Sequence, residues 1–305
     1  MLDRIYLFVL IFVLPMPAMA LGQDSGDSLF TLYAKNSMGA QSGDCYGDYL
    51  VLVTKQESKF GLYNLKQKKL CNVHRHEAKT EMRGKSDVYH ANNSTFGIQG
   101  FQESTPFPLF YVSNRVNNKG RGVLDVFRLV PMKSDEAKDY DSLSVQQVQT
   151  IYFPEATDEN ALGSPWTVID REKNCMYTYS RNNRRKALNK GLCRISKFRI
   201  PSVDEGREVF LNDKDILDSY EVDFKAPFSQ GACIHKGKLY IAQGVSPKKY
   251  LWLRVIDLEQ RKLVRTYDLK EARFPSEPEG CYIFNNHLML STAGKRIFMI
   301  NIPIE

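Results

Sequence analysis

One unit recurs three times along the chain, and few folds can accommodate it. In Phe228 to Gln243, FSQGACIHKGKLYIAQ, the polar Gln230 precedes the small pair Gly231 and Ala232. Cys233 and Ile234 then run through a Lys236-Gly237 turn into the apolar strand Leu239-Tyr240-Ile241-Ala242. Gln41-Ser42-Gly43-Asp44-Cys45 leads in the same way through Gly47-Asp48 into Tyr49 to Val53, and Glu279-Gly280-Cys281-Tyr282 leads through Asn285-Asn286 into His287 to Ser291. Further strand-like runs follow: Phe60 to Leu65 and Leu70 to Val73 after the first unit, Leu253 to Leu258 and Leu263 to Tyr267 after the second. Strand and turn repeating at a period of about 45 to 65 residues predicts a β-propeller. Each blade of such a fold is a small twisted antiparallel sheet that buries its faces only by stacking on its neighbours.

The spaces between the copies supply the remaining blades. Val88 to Asn93, Leu109 to Ser113, Gly122 to Leu129 and Val145 to Phe153 make a second blade with long loops, and Trp166 to Asp170, Cys175 to Ser180 and Cys193 to Phe198 make a third. The expected fold is therefore all-β, a five-bladed propeller of antiparallel sheets. Ser28 to Ala34 alternates like a strand without a local partner, while the last copy has only Arg296 to Ile302 after its first hairpin. An N-terminal strand completing the last blade would close the ring and remove its open edges. Helix signals are nearly absent: Lys214 to Tyr220, behind Asn212, has room for no more than one turn.

The ends and the composition narrow the setting. Ile5 to Leu14 is an apolar run behind Arg4, followed by Pro15, Pro17 and the small-x-small site Ala18-Met19-Ala20. This is the pattern of a secretory signal peptide over residues 1–20, cut after Ala20. A spanning helix needs roughly 20 apolar residues, and no later run supplies them, so no transmembrane segment is expected after processing. Residues 21–305 read as a single propeller domain, secreted or periplasmic. The net charge of +7 suits anionic partners such as acidic glycans, phosphate polymers or a membrane surface, and the export signal disfavours nucleic acid. Six cysteines in an exported chain permit disulfides in any of fifteen pairings. Cys45, Cys233 and Cys281 are expected at equivalent blade positions, as buried thiols or bridges. No CxxC or HxxxH spacing supports a metal, and no cofactor is implied.

In a propeller the first strand of each blade lines the central channel, so equivalent residues form a ring. Aligning the copies places Gln41, His90, Gln230 and Glu279 at one level, with Trp166 or Pro165 at the matching point of the third blade and Glu277 on the adjoining loop. An acid, an imidazole, two amides and an aromatic wall could orient a sugar or another polyol. The same set allows acid–base chemistry by His90 and Glu279, hence a polysaccharide lyase or glycoside hydrolase. No nucleophile elbow or paired-carboxylate motif supports that chemistry. A protein-interaction scaffold is the third alternative, and the basic run Arg181 to Lys186 with Lys190 reads as a solvated hairpin tip.

The heads Gln230-Gly231-Ala232-Cys233, Gln41-Ser42-Gly43 and Glu277-Pro278-Glu279-Gly280, each before a turn and a strand, resemble those of the five-bladed propeller shared by phage receptor-binding proteins and teichoic-acid biosynthesis protein C-like proteins. The resemblance implies a glycan- or cell-envelope-binding role and transfers no catalytic residue. The histidine and long loops of the second blade depart from it.

Overall fold

The computed structural model describes residues 28–36, 38–54, 59–75, 91–101, 105–114, 121–155, 157, 162, 166–181, 192–225, 229–245 and 249–304. The expected signal peptide over residues 1–20, His90, Pro165 and the basic run from 182 to 190 lie outside the described residues. Among the described residues no helix is long and apolar enough to cross a membrane.

Strand β1 (Phe30–Lys35) stands apart in sequence from the blade it joins. Blade one is β2 (Ser42–Tyr46), β3 (Tyr49–Val53), β4 (Lys59–Asn64) and β5 (Lys69–Arg75). Blade two starts with β6 (Asn93–Phe96), β7 (Phe110–Asn114), β8 (Arg121–Met132) and β9 (Ser142–Glu155). Blade three holds β10 (Trp166–Asp170), β11 (Cys175–Arg181) and β12 (Leu192–Phe198). The chain then leaves it to add β13 (Glu208–Phe210) to the edge of blade two, and returns as β14 (Ile216–Lys225). Blade four is β15 (Ser229–His235), β16 (Lys238–Val245), β17 (Lys249–Asp257) and β18 (Lys262–Asp268). Blade five is β19 (Pro278–Phe284), β20 (His287–Thr292) and β21 (Arg296–Ile300), completed by β1. The fold is a five-bladed β-propeller.

Closure takes the expected form. β1 runs antiparallel to β21 from Phe30 opposite Ile300 to Lys35 opposite Arg296, so the last blade borrows its outer strand from the start of the chain. The inner strands meet in the order β2, β6, β10, β15, β19 and back to β2. Each seam between neighbouring blades has its own apolar core, as where Phe60 and Val51 of blade one meet Phe110 and Phe127 of blade two. The seam between blades five and one packs Tyr282 and Met289 on Leu50, Leu52 and Tyr63. Apolar burial at such seams is the main favourable term, because a blade alone leaves both faces wet.

The hairpins at the foot of the inner strands fix what is equivalent to what. Lys236-Gly237 and Asn285-Asn286 both take left-handed φ, at 46° and 72° and at 48° and 58°, as a two-residue turn that matches strand twist requires. Counted back from the turns, Gln41, Gln230 and Glu279 each stand sixth in sequence, while bulges between Ser229 and Ala232 and between Pro278 and Gly280 shift the ladder at the heads of blades four and five and none does in β2. The three cysteines do not share a position: Cys45 is second, Cys233 third and Cys281 fourth from its turn. Since side chains alternate between faces of a strand, one residue of slip turns a side chain to the opposite neighbour.

Blades two and three depart from expectation in three places. The inner strand of blade two is β6, beginning at Asn93; of the strand expected over 88–93, Ala91 and Asn92 precede β6 and residues 88–90 lie outside the described residues. The sheet also gains β13, parallel to β9 with Val209 opposite Ile151, in an otherwise antiparallel set. The helical segment expected over Lys214 to Tyr220 reduces to one short turn, Asp213–Asp215, capped by the Asn212 side chain, after which Ile216–Lys225 is a strand. The alternation of Ile216, Asp218, Tyr220, Val222 and Phe224 against β12 prevails over the local cap.

Candidate functional site

An inner strand has a ladder partner on one side only, and its other edge faces the propeller axis. The N–H and C=O groups on that edge are buried and must be met by something other than a sheet neighbour. Asn93 does this for three blades: its amide N–H donates to the Thr167 carbonyl at 2.7 Å, and its Oδ1 accepts from Ala232 N–H at 3.0 Å. Ser113 Oγ accepts from Thr167 N–H at 2.7 Å. Nearer the hairpins, Asp44 accepts from Phe96 N–H and from Cys45 N–H, both at 2.8 Å, and Arg171 donates to it at 2.8 Å and also reaches the Cys45 carbonyl. These contacts tie blades one to four together around the axis.

The turn end is charged but largely withdrawn from water. Burial pushes the Asp44 carboxyl above its ordinary range, against the pull of Arg171 and the two N–H donors, and the same carboxylate holds the Arg171 guanidinium further up. His235, last in β15, has a buried Nε2 without a protein hydrogen bond. Burial, then the neighbouring Lys236, lower its pKa.

At the other end, where the inner strands begin, the structure gathers five of the six residues expected there. Gln41 Nε2 donates to Glu279 Oε2 between blades one and five. Gln230 Nε2 donates to Glu277 Oε1 at 2.9 Å and to the Gly244 carbonyl at 3.1 Å. Trp166 Nε1 donates to the Ser229 carbonyl at 3.1 Å, carrying the chain of contacts on to blade three. Beneath them Tyr179 donates its hydroxyl to the Gln230 carbonyl at 2.6 Å. Glu279 and Gln230 are only 5% and 8% exposed, whereas Gln41, Glu277 and Trp166 are half-buried and reach the surface. The floor of this head end is thus made by Gln230 and Glu279, and its rim by the other three.

The approach of the strands explains why small residues follow the head. A Cβ on Gly231 would lie 2.5 Å from the Glu279 carbonyl oxygen and 2.7 Å from Cys281 N, and one on Gly280 would lie 3.2 Å from Gly43 N. Glycine lets the inner strands touch there, and the residue before it is thereby held at the channel mouth. Chemically, each of the two carboxylates takes an amide donor, an indole lies beside them, and a carboxylate offers up to about four acceptor sites. Such a set can accept hydroxyl hydrogen bonds and pack on an apolar ring face. Among the described residues no group of three His, Cys, Asp or Glu side chains is arranged to hold a metal ion.

Reading the repeats missed Asn93, Ser113, Asp44 and Arg171. One signal was present: where the other copies carry Cys233 and Tyr282 third from the turn, the first carries the charged Asp44.

No protein-family model matches the chain, and no curated protein matches it. Among solved structures it is similar to Myxococcus xanthus glutaminyl cyclase, at 9% identity over 88% of this chain and 92% of that one, with a TM-score of 0.48. It is also similar to BamB from Moraxella catarrhalis, at 8% identity over 86% and 70% with a TM-score of 0.34, and to a luciferin-regenerating enzyme, at 10% identity over 88% and 76% with a TM-score of 0.37. Likeness at this level carries no functional argument, and the five blades stand on the strand pairing itself.

Proposed function

We propose that the protein is an exported binding module that holds a carbohydrate or cell-envelope polymer at the head end of the propeller axis. The observation that carries this reading is the polar cluster of Gln41, Gln230, Glu277, Glu279 and Trp166 where the inner strands begin. Two carboxylates there favour a hydroxyl-rich, uncharged sugar unit at the point of contact, with the indole against its C–H face. The net charge of +7 then acts at longer range, on the acidic remainder of an envelope polymer. Export rests on the leader pattern of residues 1–20. From the resemblance of the heads to phage and teichoic-acid propellers this reading keeps only the ligand class.

The test is an array of neutral and acidic envelope glycans probed with the chain from residue 21 onward, with product analysis on every binder. Binding without turnover is the expected result. Turnover that His90→Ala abolishes would replace the reading with a lyase or hydrolase. Failure to bind any glycan, with partner proteins captured regardless of head-end substitutions, would replace it with a scaffold.

A further inference from the structure

Cys233 and Cys281 bring their Sγ atoms to 3.5 Å across the seam between blades four and five, and both side chains are buried in that seam's core. They meet because they are not equivalent: third and fourth from their turns, they point in opposite directions around the ring, one forward and one back. Gly231 lets the two backbones close to contact at this level, since a Cβ there would fall 2.7 Å from Cys281 N. The other thiols are placed elsewhere. Cys45 turns to the Ile283 carbonyl in the seam of blades five and one, Cys175 and Cys193 lie in the core shared by blades three and four, and Cys71 is on the outer strand β5.

We propose that Cys233 and Cys281 are a bridging pair that closes to a disulfide as the exported chain folds, stapling the inner strands of blades four and five. The inference rests on the export reading for its oxidising setting. The chemistry is a two-electron exchange with a small-molecule disulfide such as oxidised glutathione. One protein thiol loses its proton, attacks the small disulfide and expels one thiolate. The second thiol, deprotonated in turn, attacks the protein sulfur of the mixed disulfide and expels the other thiolate, so two protein thiols are oxidised and one disulfide is reduced to two thiols. The sulfurs then stand about 2.05 Å apart. Burial pushes the Cys233 thiol far up, so the attacking thiolate belongs to the open chain and the bridge forms before the seam is packed.

The experiment refolds the chain lacking its first 20 residues, which retains every described strand, from the reduced and denatured state in a reduced/oxidised glutathione buffer. Free thiols are alkylated, and a non-reducing digest is mapped by mass spectrometry. The expected product carries one cross-linked peptide pair, Cys233 with Cys281, four alkylated cysteines, and a Tm about 5–10 °C above that of the fully reduced protein. Cys281→Ala removes both the cross-link and the Tm difference. Six alkylated cysteines in natively folded protein overturn the proposal, as does a bridge between any other pair, or a bridged protein that melts where the reduced one does. If refolding yields no native protein, material exported and folded by a bacterial host is mapped in the same way, and both thiols free there overturn it equally. The readout is a mass and a melting temperature, so its failure is distinct from a failure to bind sugar.

Discussion

The two ends of the propeller axis are built by opposite means. Along the axis and at its turn end, Asn93 bonds backbone groups of blades three and four, and Asp44 and Arg171 bond each other and backbone groups of blades one and two. At the head end, Gln41 with Glu279 and Gln230 with Glu277 pair side chain to side chain between neighbouring blades, Trp166 beside them holds the Ser229 carbonyl, and Gln41, Glu277 and Trp166 remain at the surface. A polar side chain bonded to buried backbone is part of the fold. A polar side chain bonded to another side chain at a channel mouth can exchange that partner for a ligand. Under the proposed function, the difference divides stability and recognition between the two regions.

The largest expected effect on stability belongs to Asn93→Ala. It leaves the Ala232 N–H unpaired on the axis and the Thr167 C=O with only the Ser113 hydroxyl at 3.4 Å, and at about 1–3 kcal/mol for an unsatisfied group the loss should be roughly 2–4 kcal/mol in urea unfolding. A loss under about 1 kcal/mol would mean that another group satisfies these atoms, and would break the contrast between the ends.

Next is Arg171→Ala, which leaves Asp44 buried without its cation, beside its backbone donors and the Thr95 hydroxyl. Arg171 is itself 38% exposed, so the loss is set below that for a fully buried pair, at about 2 kcal/mol. Asp44→Asn in the Arg171→Ala background should restore part of it, because the buried charge is then gone. No rescue would show that the guanidinium acts by packing and not by charge.

His235 sharpens the same comparison through pH. Its folded-state pKa lies below the ordinary value, so between the two the unfolded chain holds the proton and the folded chain does not. Its contribution is fully present above about pH 6.5 and is lost as pH falls from there towards the folded pKa. His235→Gln should flatten the fall in Tm between pH 7 and 5 by a small margin. An unchanged slope would show that the imidazole is solvated in the folded state.

Much of the head end was legible because it is repeated. Gln41, Gln230 and Glu279 hold the same distance in sequence from a two-residue turn, whereas the bulges beside Gln230 and Glu279 carry no such mark. Cys45, Cys233 and Cys281 looked like the same repeat, yet they differ by single residues, and strand alternation turns such a slip into a change of neighbour. β1 could be foreseen because the last blade was visibly short of a strand. β13 could not, since Glu208–Phe210 joins a sheet whose adjacent strand ends at Glu155, and nothing local marks a parallel edge. The roles of Asn93 and Asp44 are likewise set across the axis: each meets atoms that come within reach only when the ring closes.

The most direct test sets recognition against stability in the same variants. Glu277→Gln and Gln41→Ala are measured for binding to the tightest glycan found on the array and for urea unfolding, beside Asn93→Ala. The division between the ends predicts that both head-end variants bind at least about tenfold more weakly, a loss of about 1.4 kcal/mol, while their unfolding free energies stay within about 1 kcal/mol of the parent. Asn93→Ala, measured where it is still folded, should keep the parent affinity. Head-end variants that bind like the parent, or that lose stability as Asn93→Ala does, would contradict the assignment of recognition to that end.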